Sequence, residues 1–127
     1  MADNSGTLVS SGTSANIPSG SGSERLRRAT IVGLNNDTQE LLSGTAGHIY
    51  TILSIIFKDD QGASGTINIR VNNGTHDVYI LGGQAHGSSE TFIWNDKFVM
   101  EEDDDLDVTN TVDSGIWYVS YIDQDFT

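Results

Sequence analysis

Short runs of β-branched, aromatic and aliphatic residues alternate with Gly, Asn and Asp from residue 25 to the end of the chain. Runs of this length, bounded by turn-forming residues, are typical of the strands of a sandwich or barrel. The pattern predicts about eight or nine strands and no helix. The predicted strands are Arg27–Leu34, Gln39–Leu42, His48–Lys58, Gly65–Asn72, His76–Leu81, Glu90–Trp94, Lys97–Met100, Leu106–Thr109 and Ile116–Asp123.

Alternation within these runs indicates which side chains face the core. In the run Thr66–Val71 every second residue is aliphatic, so we expect Ile67, Ile69 and Val71 to be buried and their neighbours to face water. The run Ile49–Phe57 is almost continuously apolar. It therefore predicts a central strand that is covered on both faces or lies at a subunit contact.

Two glycine-containing segments predict turns. Asn72-Asn73-Gly74 predicts a tight type I′ hairpin, because Asn-Gly tolerates the positive φ angles that such a turn requires, and it would join Val71 to a strand beginning near His76. Gly82-Gly83 predicts a wide turn between strands. The chain shows no fixed repeat, so we expect one antiparallel sandwich.

The chain divides into an arm and a domain. Residues 1–23 are rich in Gly and Ser, with Leu8, Val9 and Ile17 widely spaced, and this composition predicts a flexible, extended N-terminal arm. Residues 24–127 then form a single β-sandwich domain, which at this size needs no disulfide, and the chain contains no cysteine.

The charge of the chain argues against several classes of partner. The formal net charge is -12, and most of the 18 acidic residues lie in the second half of the sequence. Direct binding to nucleic acid is disfavoured, because a protein surface needs Lys and Arg to displace the counterions of phosphate. We also expect no membrane partner, because no apolar run approaches the roughly 20 residues that a spanning helix requires.

The acidic run Glu101–Asp107 has carboxylates at the spacing of a cation-binding loop, yet it does not fit the EF-hand pattern. With Asp103 as the first ligand, Val108 stands where the loop needs Gly and Ser114 where it needs Glu. We expect no metal here, and instead a solvated loop entering a strand whose Leu106 and Val108 point inward.

The remaining polar residues form no recognisable catalytic motif. His48, His76 and His86 have no metal-site spacing, and the chain has no G-x-S-x-G elbow. We expect the protein not to be an enzyme and to bind no cofactor. A carboxylate pair of the glycosidase type stays open, because an acidic sandwich offers many pairs.

Aromatic residues support either an interface or a sugar-binding platform. Trp94 and Trp117 are candidate aromatic interface residues, and a carbohydrate-binding module would require them to be exposed on a sheet face. Alternation in the last strand places Trp117, Val119 and Tyr121 on one face, which we expect to be buried.

The order of these strands resembles the small β-sandwich domains of tailed-bacteriophage virion proteins. In that pattern an apolar strand and polar turn precede two paired strands, and an acidic turn leads through a D-x-L-x-V strand to a closing strand. The matching segments are Ile49–Phe57, Asp59–Ser64, Thr66–Val71, Val78–Leu81, Phe98–Val108 and Gly115–Ile122. The cluster Arg25–Arg28 and the length of the acidic stretch have no counterpart in it.

The resemblance implies a jelly-roll-like sandwich that binds a capsid or tail, with an arm reaching neighbouring subunits. It implies a capsid decoration (cement) protein of the virion, made in the host cytoplasm, whose partners are the major capsid protein or other virion proteins and further copies of itself, as in the trimers of head-decoration proteins. A neck or tail-fibre-associated protein shares every feature. The candidate contact residues are Leu8, Val9, Ile17, Arg25, Arg27 and Arg28.

Overall fold

The computed structural model describes residues 23–60, 62–112 and 114–127, which form nine strands and, within those ranges, no helix. The strands are β1 (Ser23–Leu34), β2 (Gln39–Ser43), β3 (His48–Asp59), β4 (Gly65–Asn72), β5 (Asp77–His86), β6 (Thr91–Trp94), β7 (Phe98–Met100), β8 (Asp105–Asn110) and β9 (Ser114–Asp125).

The strands form two antiparallel sheets that pack face to face. The first sheet has the order β1-β9-β3-β6, and β7 pairs with β3 beside β6, so that β6 and β7 lie end to end along one edge. The second sheet has the order β2-β8-β4-β5. Consecutive strands mostly cross from one sheet to the other, which is the jelly-roll arrangement. The predicted fold class, an all-β sandwich of jelly-roll type, is confirmed.

The turns differ from the predictions in two places. The hairpin between β4 and β5 exists, but it is a four-residue loop and not a type I′ turn. Asn73 Oδ1 accepts hydrogen bonds from the backbone N–H groups of Thr75 and His76 at 3.0 and 2.8 Å, and this side-chain cap replaces the tight turn. Gly83 lies inside β5, where its N–H donates to Asn68 Oδ1 at 2.6 Å beside a bulge, so the Gly pair is not a turn between strands.

Alternating residues of both sheets build the core as predicted, except that Val71, which was expected to be buried, is half-buried. Ile67 and Ile69 are fully buried, Leu106 and Val108 point inward, and Trp117 and Val119 are 0% exposed. The ring of Trp117 packs on Phe57 with centroids 4.6 Å apart. Burying an aromatic pair of this size supplies much of the apolar area that holds one sheet on the other.

A buried polar side chain connects the two sheets. Asn110 of β8 is fully buried, and its Oδ1 accepts a hydrogen bond from Trp117 Nε1 of β9 at 3.1 Å. Its Nδ2 donates to the carbonyl of Val112 at 3.0 Å and to that of Gly33 at 3.4 Å. The amide is therefore satisfied on both sides, which a buried polar group requires.

Gly33 of β1 makes room for this amide. A Cβ atom on Gly33 would lie 2.1 Å from Asn110 Oδ1 and 2.7 Å from Trp117 Nε1. Neither group can move away without breaking the hydrogen bond that links β8 to β9. Position 33 therefore requires glycine, because β1 lies too close to the Asn110 side chain to leave room for a Cβ atom.

We expect Gly33→Ala to lower the free energy of unfolding by about 2 to 4 kcal/mol, because overpacking here also disrupts a buried hydrogen bond. Urea denaturation followed by tryptophan fluorescence measures the change. Gly82→Ala is the matched control, since nothing lies within 4 Å of a Cβ at that position. Equal stability of the two variants would contradict a steric requirement at Gly33.

Candidate interaction surfaces

The outward face of the first sheet is largely apolar. We call it the apolar face, and we define it by its exposed aliphatic side chains, which are between 39% and 75% exposed. They are Leu26, Val32 and Leu34 of β1, Ile93 of β6, Val99 of β7 and Ile116 of β9. Each alternates with a residue that points toward the core, so all of them lie on the outer surface of one sheet.

Cross-strand pairing makes this face continuous. Val32 lies opposite Ile116, and half-buried Ile56 lies between Tyr118 on one side and Ile93 on the other. Directly opposed residues in a sheet have Cβ atoms about 4.5 to 5.5 Å apart, so these side chains contact one another. A contiguous apolar patch of this kind is typical of an interaction surface.

Two basic groups lie on the apolar face. Among the described residues, Arg28 lies over the ring of Tyr118 at 5.8 Å from its centroid, and Lys58 lies at the far end beside Ile116. Glu24 stands at the margin and accepts a hydrogen bond from Gln124 Nε2 at 3.0 Å. The face therefore carries little of the negative charge of a chain whose net charge is -12.

The outward face of the second sheet has the opposite character. Asp107 Oδ2 of β8 and Asp77 Oδ2 of β5 both lie 3.3 Å from the guanidinium of Arg70. Glu40 of β2 and Asp105 of β8 extend the same surface, which we call the acidic face. The sandwich is thus two-sided, with one face apolar and the other solvated.

Most carboxylates of the acidic run Glu101–Asp107 have structural partners. Glu102 Oε2 accepts from the N–H of Gly47 at 3.1 Å, and Asp104 Oδ2 accepts from the N–H of Glu101 at 2.8 Å. Asp105 Oδ1 accepts from Ser43 Oγ at 2.7 Å. The bond from Glu101 to Asp104 is local, whereas those of Glu102 and Asp105 hold this segment against Gly47 and Ser43, a role that the sequence did not reveal because these partners are distant in the chain.

An open hollow of about 610 Å³ lies beside this loop, lined by His48, Asn73, Phe126 and residues 101–104. Across residues 23–60, 62–112 and 114–127, no group of three or more His, Asp or Glu side chains is arranged to hold a metal ion. The same ranges contain no helix that is long and apolar enough to cross a membrane.

A buried ion pair closes the same end of the sandwich. Asp123 is 4% exposed, and its two oxygens lie 2.9 Å from Arg27 Nε and 2.7 Å from His48 Nδ1. Nearby, burial raises the pKa of Tyr121 above its ordinary value, because the buried site disfavours the charged phenolate. Arg27 is therefore engaged by its own chain, and Arg28 is the arginine of the Arg25–Arg28 cluster that lies on the apolar face.

The two tryptophans have different environments. Trp117 is fully buried in the core, so it cannot form the aromatic interface or sugar platform considered from the sequence. Trp94 is half-buried and lines a groove of about 460 Å³ between β5 and the β6–β7 edge. Its indole Nε1 is buried without a hydrogen-bond partner, which costs about 1 to 3 kcal/mol for a desolvated donor.

The predicted contacts of the arm lie outside the described residues. Leu8, Val9 and Ile17 precede Ser23, where the described chain begins. The arm itself, predicted over residues 1–23, therefore stays a prediction. Its last residue, Ser23, is the first residue of β1, so the sandwich begins there and not at residue 24.

No family model matches this chain, and no curated protein matches it. A solved structure from Bacillus, described by the words "Bacillus endospore appendages form a novel family of disulfide-linked pili", is similar at a TM-score of 0.47 and 14% identity. The similarity covers 88% of this chain and 96% of that chain. A similarity this distant supports no conclusion about function. The fold and surfaces define the chain as a jelly-roll sandwich with one apolar and one acidic face.

Glu40 gives a pH-dependent prediction. Its carboxyl shares a hydrogen bond with that of Asp105, and this contact, with partial burial, raises the pKa of Glu40 above its ordinary value of 4.5. A carboxyl with a raised folded-state pKa favours folding when protonated, and this contribution is lost as the pH rises through that value. At neutral pH the ionised pair is therefore destabilising.

We expect Glu40→Gln to raise the free energy of unfolding at pH 7 by about 0.5 kcal/mol, the size of an exposed cross-strand charge repulsion. The gain should shrink as the pH falls toward and below 4.5. Glu101→Gln is the control, since it removes the same charge from an exposed position. Equal gains from both variants at every pH would mean that only net charge matters.

We expect calcium to leave the melting temperature within about 1 °C of its value in chelator, because a ligand that binds the folded state must stabilise it. Three carboxylates of the acidic run, those of Glu102, Asp104 and Asp105, already accept hydrogen bonds within the protein. Differential scanning calorimetry with millimolar Ca²⁺, and separately with EDTA, measures this. A calcium-dependent rise of several degrees would show that the hollow binds the ion.

Proposed function

We propose that this chain is a non-catalytic structural protein of a tailed bacteriophage, and specifically a capsid decoration protein that binds and stabilises the head shell. The observation that carries the proposal is the apolar face. It is the outer surface of one sheet, and it shows Val32, Ile93 and Ile116 to solvent in the isolated chain. The jelly-roll fold also agrees with what the sequence resemblance implies.

The charge distribution supports one orientation on such a shell. Close packing of many copies with a net charge of -12 is opposed by repulsion, which buried apolar area can offset. Docking through the apolar face removes aliphatic side chains from water and leaves the acidic face outward. The outward carboxylates then keep the decorated particle soluble.

The basic groups of the apolar face indicate the chemistry that a partner surface would need. Arg28 lies over the ring of Tyr118 and Lys58 lies beside Ile116, so a complementary surface is apolar and bears carboxylates at matching positions. Charge pairs at the rim of an interface fix its register and speed association more than they raise affinity. The same face is available for contact between copies, so we also propose that the protein forms homo-oligomers, such as trimers, on the shell.

We expect the purified protein to bind the assembled heads of the phage that carries its gene, at a fixed number of copies per head. The double variant Val32→Ser with Ile93→Ser should bind at least about 100-fold more weakly. Each aliphatic side chain buried at the contact contributes about 1.5 kcal/mol, and 1.4 kcal/mol corresponds to a factor of ten. Co-sedimentation with heads over a range of protein concentrations measures the affinity.

Tyr79→Ser is the matched control, because Tyr79 is 58% exposed on β5 of the second sheet. It should bind as the unchanged protein does, and all variants should keep their circular dichroism spectra. Equal binding by the double variant would overturn the role of the apolar face. Labelling found on the neck or tail fibres of virions, and not on heads, would overturn the decoration role in favour of those locations.

A further inference from the structure

We propose that the groove between β5 and the β6–β7 edge binds residues 7–17 of the same chain as an extended segment. The groove is lined mainly by apolar side chains, among them Val71, Val78, Ile80, Trp94 and Phe98. It lies between the edge strands of the two sheets. This inference goes beyond the proposed function, because the groove and the apolar face share only Val99 of β7 and otherwise have different residues.

The groove offers what an added strand needs. β5 and β6 are the last strands of their sheets, and an edge strand presents backbone N–H and C=O groups that can pair with an extended peptide. Trp94 Nε1 is a buried donor without an acceptor at the same place. A backbone carbonyl of a docked segment would supply that acceptor, and Leu8, Val9 and Ile17 supply apolar side chains for the groove.

The described chain begins at the end of the sandwich where the groove opens. Ser23 lies opposite Asp125, and Asp125 lies opposite His48. His48 shares the open hollow with Asn73 and Asp104, and these two residues also line the groove. The segment that precedes Ser23 therefore starts near one mouth of the groove.

The distances allow the chain to reach it. Three strand spacings separate β1 from the β6–β7 edge, or about 14 Å at 4.8 Å each. Residues 18–22 span up to about 17 Å when extended at 3.3 Å per residue. Residues 7–17 are then available to lie along the groove.

Charge and concentration favour this occupant. Residues 4–22 contain no Asp, Glu, Lys or Arg, so this segment of a chain whose net charge is -12 approaches the sandwich without charge repulsion. A short tether gives a segment an effective concentration of the order of millimolar, which exceeds that of a second copy at micromolar protein. The sequence alone had suggested that the arm reaches a neighbouring subunit, whereas tethering favours its own groove in the isolated protein.

The test uses the full-length protein and nuclear magnetic resonance of the two indole N–H groups. The double variant Leu8→Asp with Val9→Asp should shift the Trp94 indole resonance and leave that of Trp117 unchanged, because Trp117 Nε1 is bonded to Asn110 in the core. Backbone amides of residues 7–17 should exchange at least about tenfold faster in this variant. Asn4→Asp with Ser5→Asp is the control, which adds the same charge outside the segment and should change neither signal.

Two results would overturn the proposal. An unchanged Trp94 resonance and unchanged amide exchange in the Leu8→Asp, Val9→Asp variant would show that the segment does not occupy the groove. Amide protection that rises with protein concentration over a roughly fiftyfold range would show that the occupant comes from a second copy. Neither result bears on head binding through Val32 and Ile93, so the two proposals fail separately.

Discussion

The hydrogen bond between Asn110 and Trp117 is the constraint on which the rest of the sandwich depends. It joins β8 of the second sheet to β9 of the first, and the donor and acceptor are both fully buried. Such a bond contributes modestly when made, but leaving either partner unpaired costs the full desolvation of that group. The register between the sheets is therefore specified, because a shift that keeps the aliphatic packing would still break this bond. Gly33 belongs to the same constraint, since only a residue without Cβ lets β1 approach the amide.

The register also determines which side chains lie on the outer surfaces of the two sheets. In a strand successive side chains point to opposite sides, so a core that is defined on one side of the first sheet defines the apolar face on the other. The long apolar strand β3 shows this directly, because Ile52 and Ile55 are buried while Ile56 lies in the outer row between Tyr118 and Ile93. Covering such a strand on both sides removes more apolar area from water than covering one side alone. The proposed assembly role rests on this outer apolar row.

The negative charge that the structure describes is concentrated away from the apolar face. On the second sheet, Asp77 and Asp107 share Arg70, and the loop carboxylates accept hydrogen bonds from the backbone and from Ser43. The acidic run therefore serves the structure of one end of the sandwich as well as its solubility. The groove near that end is lined mostly by apolar side chains, which suits an uncharged peptide better than a charged ligand.

The sequence by itself determined the fold class, nearly all strand positions and the inward residues of several strands, because alternation and turn chemistry are local. It placed Ile67, Ile69, Trp117 and Val119 correctly in the core. Only the tertiary structure decided which outward residues share a face, since that depends on the register of strands distant in the chain. It also separated Trp94 from Trp117, gave Arg27 an internal partner in Asp123, and brought the edges of two sheets together around a groove. These features arise from contacts between residues that belong to different strands, up to 96 positions apart for Arg27 and Asp123, which no local pattern encodes.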